Sequence, residues 1–376
     1  MADPSLKPIN VFDYQALAEQ RLSPMARDYY NSGAWDEVTL QANRQAFARL
    51  QLRPRVLVDV SQRELATQVL GQGLQCPILV APMAFQCLAH PEGELATARA
   101  ATALGVGMVL STLSTRSLEE VSAIPSCSPR WFQLYIHRDR GLTQCLVERA
   151  YAAGYQAICL TVDAPVLGRR ECDARNQFAL PAGLRLANLS ALTGPGIVAK
   201  SDESGLFAYF TEQVDPSVTW KDLAWLQSLS PLPLVVKGIL RGDDARRAVD
   251  QGVKAIIVSN HGGRQLDGAI ATLDALPEVA AAVGQAAEVL VDGGIRRGTD
   301  VLKALTLGAG AVLVGRPVLW GLAVAGEAGA EHVLTLLRDE LDLAMALSGC
   351  ARLADVTAGL VKEIKDPDLA NGMRSD

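Results

Sequence analysis

Eight short apolar runs recur along the chain. They cover residues 77–82 (PILVAP), 107–111 (GMVLS), 131–135 (WFQLY), 157–162 (AICLTV), 234–237 (LVVK), 255–259 (AIIVS), 289–292 (VLVD) and 311–315 (AVLVG). Each is continuously apolar, the pattern of a strand buried on both faces of a parallel sheet. The segments between them read as helices: residues 92–104, 142–153, 243–251 and 299–307. Ser117-Leu-Glu-Glu120 is a capping box, in which a hydroxyl and a carboxylate satisfy N–H groups at a helix start. Gly105, Gly154, Gly252 and Gly308 each close a helix shortly before the next strand, where the missing Cβ permits a left-handed turn. Alternating strands and helices in this number predict an α/β chain folded as a (β/α)8 TIM barrel. An open doubly wound sheet is the alternative.

Two parts break the rhythm. Residues 1–75 precede the first barrel strand and read as a largely helical extension to a barrel over 76–376. The interval from 167 to 233 contains NQFALPAGLRLANLSALTGPGIVAKSDESG, which has no clear periodicity. A lid loop is expected there, over about 171–220, because long loops on this face of a barrel often cover an active site. The plainer reading is a surface excursion.

Composition changes the picture in three ways. Hydrophobic residues make up 49% and charged residues 20%, which excludes disorder and supports a large core. The mean hydropathy of +0.16 is high, yet the most apolar stretch, 310–324, carries Arg316 and Pro317 and is too short to cross a bilayer. No signal peptide or peroxisomal tripeptide is recognisable. Lys+Arg number 35 against 41 Asp+Glu, a net charge of -6, which disfavours nucleic-acid binding. The cysteines at 76, 87, 127, 145, 159, 172 and 350 form no C-x-x-C pair, so a reduced cytoplasmic protein without a metal site is expected.

The candidate chemistry stands at the C-terminal ends of the strands, where barrels carry their functional groups. Gln133 and Tyr135 end strand three, and Thr161 and Asp163 strand four. Lys237 ends strand five, Ser259-Asn260-His261 strand six, Asp292-Gly293-Gly294 strand seven and Gly315-Arg316 strand eight. Lys237 closes an apolar strand, where an unpartnered amine is costly. It reads as a Schiff-base lysine, as a fixed cation beside an anionic cofactor, or as a side chain reaching solvent. His261 alone of the four histidines follows a buried strand directly, with glycines after it. A neutral imidazole there can accept a proton, and Asp163 can orient it. His332 is expected on the exposed face of a C-terminal helix. Arg170 and Arg264 suit a substrate carboxylate, with surface salt bridges as the alternative. DGG followed by GR one strand later suits a cofactor phosphate. No G-x-G-x-x-G joins a strand to a helix, which disfavours a Rossmann nicotinamide site.

These motifs resemble the FMN-dependent L-2-hydroxy acid oxidase family, which includes glycolate oxidase and L-lactate oxidase. The resemblance runs from about residue 10 to 348. It rests on ARDYYNSGA (26–34), WFQLY (131–135), LTVDAPVLGRRE (160–171), LVVKG (234–238), SNHGGRQLD (259–267), DGGIRRGTD (292–300) and GRP (315–317). It implies a single FMN hydroxy acid dehydrogenase domain over 1–376, assembled as a homotetramer or octamer. His261 would be the base, paired with Asp163. Tyr29 and Tyr135 would touch the substrate, and Arg170 and Arg264 its carboxylate. Lys237 would lie against the flavin N1/O2 edge. Ala84, Ser111, Gln133, Thr161 and Ser259 would surround the ring, Asp292 the ribityl chain, and Gly294, Arg296, Gly315 and Arg316 the phosphate.

Two positions depart from the plant glycolate oxidase pattern: Met83 stands where that pattern has Thr, and Leu113 where it has Trp. Leu113 removes ring volume and an indole N–H from the pocket, which should then accept the methyl of L-lactate; mere repacking of the wall is the alternative. The expected reaction is oxidation of L-lactate to pyruvate, with O2 reduced to H2O2 and residual glycolate activity. Glycolate oxidase, or a dehydrogenase passing electrons to a quinone or cytochrome, is the second reading. A flavin-binding isomerase or carrier on the same barrel is the third, although a carrier needs no carboxylate clamp.

Overall fold

The computed structural model describes residues 7–189 and 204–364. Its barrel strands are β1 (Ile78–Val80), β2 (Gly107–Leu110), β3 (Arg130–Leu134), β4 (Ile158–Thr161), β5 (Leu234–Ile239), β6 (Ala255–Val258), β7 (Glu288–Asp292) and β8 (Ala311–Val314). All pair in parallel, and β8 closes on β1 through Val312 opposite Ile78. A closed barrel has no edge strand, so the open-sheet alternative is out. The continuous apolar runs now have their cause. Leu79, Val109, Trp131, Cys159, Val235, Ile257, Leu290 and Leu313 fill the interior. Their chain neighbours, among them Ile78, Leu110, Phe132 and Leu160, face the surrounding helices.

The expected helices are present at Glu94–Ala103, Leu118–Ser122, Arg140–Ala152, Gly242–Asp250 and Gly298–Thr306. Ser117 Oγ accepts from Glu120 N at 3.1 Å, and Glu120 answers at Ser117 N at 2.8 Å. Gly105, Gly154, Gly252 and Gly308 all have positive φ. A last helix, Arg316–Leu347, is kinked at Ala325 and Gly326.

The preface is helical only in its first part. Helices Val11–Arg21, Pro24–Asn31 and Val38–Ala48 carry Asn10 and Ser23 as caps of the first two. Residues 67–74 form an antiparallel hairpin instead. Its Val69 and Leu74 join the interior cluster, and Gln72 accepts from the Trp131 indole at 3.1 Å. The strand starts of a barrel expose apolar side chains, and this hairpin covers them. His332 is also placed differently from expectation: its Nδ1 is 2.8 Å from the Tyr14 hydroxyl, half-buried between the first and last helices.

The interval after β4 holds helices Glu171–Arg175, Gly205–Gln213 and Asp222–Ser228. Residues 190–203 of the expected lid lie outside the described residues. The helix Gly205–Gln213 is fastened to the turn after β3. Arg138 N donates to Gln213 O at 2.8 Å, Asp215 N to Ile136 O at 3.0 Å, and Tyr209 OH lies 2.8 Å from His137 Nε2. Among the described residues no helix is long and apolar enough to cross a membrane.

Candidate active site

A cavity of about 1030 Å³, mouth included, opens at the C-terminal end of the barrel. Every strand reaches its wall, directly or through the turn that follows it. The long-range assembly of these turns brings the sequence-predicted residues together.

His261 sits in that turn with a left-handed backbone, φ 59°, ahead of Gly262 and Gly263 at 66° and 75°. Its Nδ1 is 2.8 Å from Asp163 Oδ1, and Nε2 has no hydrogen-bond partner among the described residues. Burial disfavours the imidazolium, Asp163 works against that, and Lys237 adds to it; the net effect holds His261 below the ordinary histidine value. Burial also opposes ionisation of Asp163, but the His261 contact and Lys237 prevail and its carboxyl is held low. The resting pair is therefore a neutral imidazole beside a carboxylate, the state a proton acceptor needs. Asp163 stands behind the cavity wall, on the far side of His261.

Lys237 is 3% exposed. Its Nζ lies 3.2 Å from Asp292 Oδ2 and donates to Ser259 Oγ at 2.9 Å. Burial opposes the ammonium, yet Asp292 and Asp163 outweigh it and the amine is held above its ordinary value. A lysine so charged serves as a fixed cation and is a poor Schiff-base nucleophile, and it does not reach solvent. Ser259 is fully buried and does not line the cavity. Its hydroxyl accepts from both Lys237 and the His261 backbone, the latter at 3.1 Å, so it supports these two residues from beneath.

The polar row Ser111, Gln133, Thr161 forms one wall. Gln133 Oε1 accepts from Ser111 Oγ at 3.3 Å and Thr112 N at 3.1 Å, while its Nε2 donates to Thr161 Oγ1 at 3.0 Å. Tyr29 stacks on Phe178 with ring centroids 4.5 Å apart, and the Arg264 guanidinium lies over its ring at 4.9 Å. Tyr135 meets Phe210 edge-on at 5.2 Å, and burial raises its phenol. Met83, Ala84 and Leu113 line the same space.

Positive charge gathers here with little to balance it. Arg170 is 6% exposed, its nearest carboxylate Asp173 is 3.8 Å away, and burial with Arg264 nearby pushes it down to about 10. Arg296 lies over the Trp320 ring at 4.7 Å and is pushed down to about 9 by burial and Arg44. Arg316 also lines the cavity, but its guanidinium donates to the backbone carbonyls of Tyr30, Gly262 and Ser32 at 2.9, 3.1 and 3.1 Å. Its side chain thus ties three loops, and the helix start at Gly315–Arg316, which no side chain caps, offers the N–H groups. Gly294 has φ 83°, and a Cβ there would collide with the Asn43 carbonyl.

These features fit FMN. Asp292 Oδ1 is buried with no hydrogen-bond partner among the described residues, an acceptor suited to a ribityl hydroxyl. Arg296, Gly294 and the uncapped helix start suit a phosphate, and Lys237 suits an anionic ring edge. Among the described residues no group of His, Cys, Asp and Glu could hold a metal ion.

The sequence reading missed several wall residues. Tyr30, Leu206, Phe210 and Gly262 line the cavity. Leu206 and Phe210 come from the aperiodic interval, where no pattern marks them. Gly238, within the LVVKG motif, is a further residue that no pattern marks. It sits at a register shift in β5 with φ 115°, and a Cβ there would lie 2.7 Å from Asp163 Cβ. Only glycine lets the Asp163 turn come this close.

The family described as FMN-dependent dehydrogenase matches this chain over residues 18–363. The chain is 69% identical to the L-lactate oxidase of Nostoc sp. strain PCC 7120 over 352 residues, 93% of this chain and 96% of that protein. It is 53% identical to glycolate oxidase 5 of Oryza sativa subsp. japonica over 350 residues, 93% and 94% of the two chains. A crystal structure of mandelate oxidase with (S)-4-hydroxymandelic acid superposes with a TM-score of 0.90 at 44% identity, covering 94% of this chain and 98% of that one.

Proposed function

The chain belongs to the FMN-dependent dehydrogenase family, and we propose that it oxidises L-lactate to pyruvate, with FMN as cofactor and O2 as the electron acceptor. One observation carries the residue assignment: His261 lines the cavity that Arg170 and Arg264 also line, with Asp163 behind it at 2.8 Å. Bound FMN supplies a two-electron acceptor that O2 can reoxidise, giving H2O2. The protein does the rest. Arg170 and Arg264 hold the substrate carboxylate, and Tyr29 and Tyr135 close around it. This places the hydroxyl at His261 Nε2. His261 takes a proton as the Cα–H bond breaks, and Asp163 stabilises the imidazolium. Removal of the hydroxyl proton or of the Cα proton uses the same residues.

Substrate choice rests on Met83 and Leu113, which are 8% and 3% exposed on the cavity wall. The 69% identity to an L-lactate oxidase favours lactate over glycolate as the preferred substrate. Assembly as a homotetramer or octamer and a cytoplasmic location belong to the same proposal; light scattering and cell fractionation test them. The exposed apolar side chains Val56, Leu57 and Leu347 are surface that such an assembly can bury.

An oxygen-electrode assay with L-lactate, D-lactate, glycolate and a longer 2-hydroxy acid tests the reading. L-lactate should give the highest kcat/KM, with one H2O2 formed per pyruvate. Rapid bleaching of the yellow enzyme by lactate, followed by very slow recovery of colour in air, would instead favour a dehydrogenase using a quinone or cytochrome.

A further inference from the structure

We propose that Gln265 is a positioning residue: its amide staples the turn that bears Asp163 to the turn that bears His261 and Arg264. The inference rests on the dyad reading above and concerns how the dyad is held. Asp163 and His261 leave different strands, 98 residues apart in sequence, so nothing local fixes their separation. Gln265 Nε2 donates to Asp163 O and to Val166 O, both at 2.9 Å. Its Oε1 accepts from Gly168 N at 3.0 Å. The amide thus spends both N–H groups and an acceptor site on three points of one turn, at 9% exposure.

The surrounding backbone is built for this contact. A Cβ on Gly168 would lie 2.5 Å from the Arg264 carbonyl oxygen, so the two turns touch directly. Gly238 leaves room for Asp163 on β5. Asp163 is therefore held by two contacts, a close backbone approach on β5 and a side-chain clamp on its own carbonyl from the β6 turn. The same clamp bears on the substrate grip, because Arg170 Nε donates to Arg264 O at 3.4 Å. Asn, one methylene shorter, cannot reach all three groups. Glu has the shape but cannot donate to two carbonyls.

The test compares Gln265→Ala, Gln265→Glu and Asp163→Asn with the parent holoenzyme, and adds the double variant Gln265→Ala/Asp163→Asn. The charged groups that face His261 are Asp163 from the β4 turn, Lys237 from β5 and Arg170 ahead of Glu171–Arg175, and the Tyr135 phenol lines the same cavity. Of these, Asp163 is the one whose backbone the Gln265 amide bonds directly. Gln265→Ala should lower kcat/KM for L-lactate roughly ten- to a hundredfold, the usual effect of a misplaced catalytic group. Because an Asp163 set back supports the imidazolium less, the acid limb of the kcat/KM profile should move to lower pH. Histidine-selective NMR titration of the resting holoenzyme should show the same shift at His261. Gln265→Glu should behave like the alanine variant, and Gln265→Ala should cost less than about threefold once Asp163 is already Asn. A lower Tm with an unmoved acid limb and an unmoved His261 titration would overturn the proposal, as would full additivity in the double variant. Failure of the parent enzyme to oxidise any 2-hydroxy acid would count against the proposed function instead, and the His261 titration would still decide the role of Gln265.

Discussion

At the residue scale the proposed chemistry depends on an imidazole held neutral beside a carboxylate. His261 has a left-handed backbone, φ 59°, which histidine tolerates better than most residues. Replacing it by Ala should lower kcat/KM for L-lactate by about 10²–10⁴ while the visible flavin spectrum is kept, because it removes proton transfer and leaves the phosphate site untouched. Unchanged turnover would refute the assignment. The pH dependence follows from the direction of the shift. His261 is held below the ordinary histidine value, chiefly by burial, so it is neutral and active at pH 7. Rates should fall only as pH drops below the ordinary histidine range, and a pH series of kcat/KM checks this. Specificity is argued from Leu113. Leu113→Trp restores ring volume and a donor to the wall, where a methyl group is worth about 1–3 kcal/mol. The kcat/KM ratio of lactate to glycolate should therefore drop by roughly tenfold or more. An unchanged ratio would mean that Leu113 only repacks the wall.

At the element scale the helix Gly205–Gln213 shows what kind of contact pattern reading cannot reach. Its Phe210 and Leu206 line the cavity, and its Tyr209 reaches a buried histidine across 72 residues of sequence. Burial holds His137 down at about 4, against an ordinary 6.5. A histidine that binds its proton more weakly when folded stabilises the fold while neutral. That contribution, roughly 3 kcal/mol by linkage, is fully present above the ordinary value and is lost as pH falls from 6.5 towards 4. Thermal melts of the holoenzyme should steepen over this window, and His137→Gln, which keeps a partner for Tyr209, should flatten them. The eight strands were legible because barrel strands are buried on both faces and carry an unbroken apolar signature. Their polar ends, His261, Lys237 and Asp292 among them, were legible because each closes or follows such a run. The hairpin at 67–74 was not, since its Val69 and Leu74 gain meaning only from the barrel floor they cover. Gln265 and Gly238 were equally silent: an amide between two turns and a missing Cβ leave no periodic trace.

At the scale of the whole molecule, a net charge of -6 coexists with a cavity lined by Arg170, Arg264, Arg296 and Arg316. The protein therefore carries a local field opposite to its overall sign, and without an anion that field works against folding. Arg296 bears this cost most directly. It is 8% exposed, its guanidinium donates to the Ile295 carbonyl at 2.9 Å and stacks on Trp320, and burial pushes it down to about 9. Among the described residues Arg296 forms no ion pair, Asp300 acting on its guanidinium only as a nearby charge, and a buried cation so placed is a cost that a bound phosphate removes. Two opposite effects should follow for Arg296→Met. The flavin-free variant should melt at or above the flavin-free parent, because the unpaired charge is gone and the aliphatic side chain still packs on Trp320. Its affinity for FMN should fall about tenfold or more, at 1.5–3 kcal/mol for a charge-assisted hydrogen bond, and with it the rise in Tm on adding FMN. Riboflavin, which lacks the phosphate, separates the two contributions: it should stabilise parent and variant equally and less than FMN stabilises the parent. Equal FMN affinity in parent and Arg296→Met, measured by quenching of flavin fluorescence, would place the phosphate on the helix start and the Gly294 turn alone.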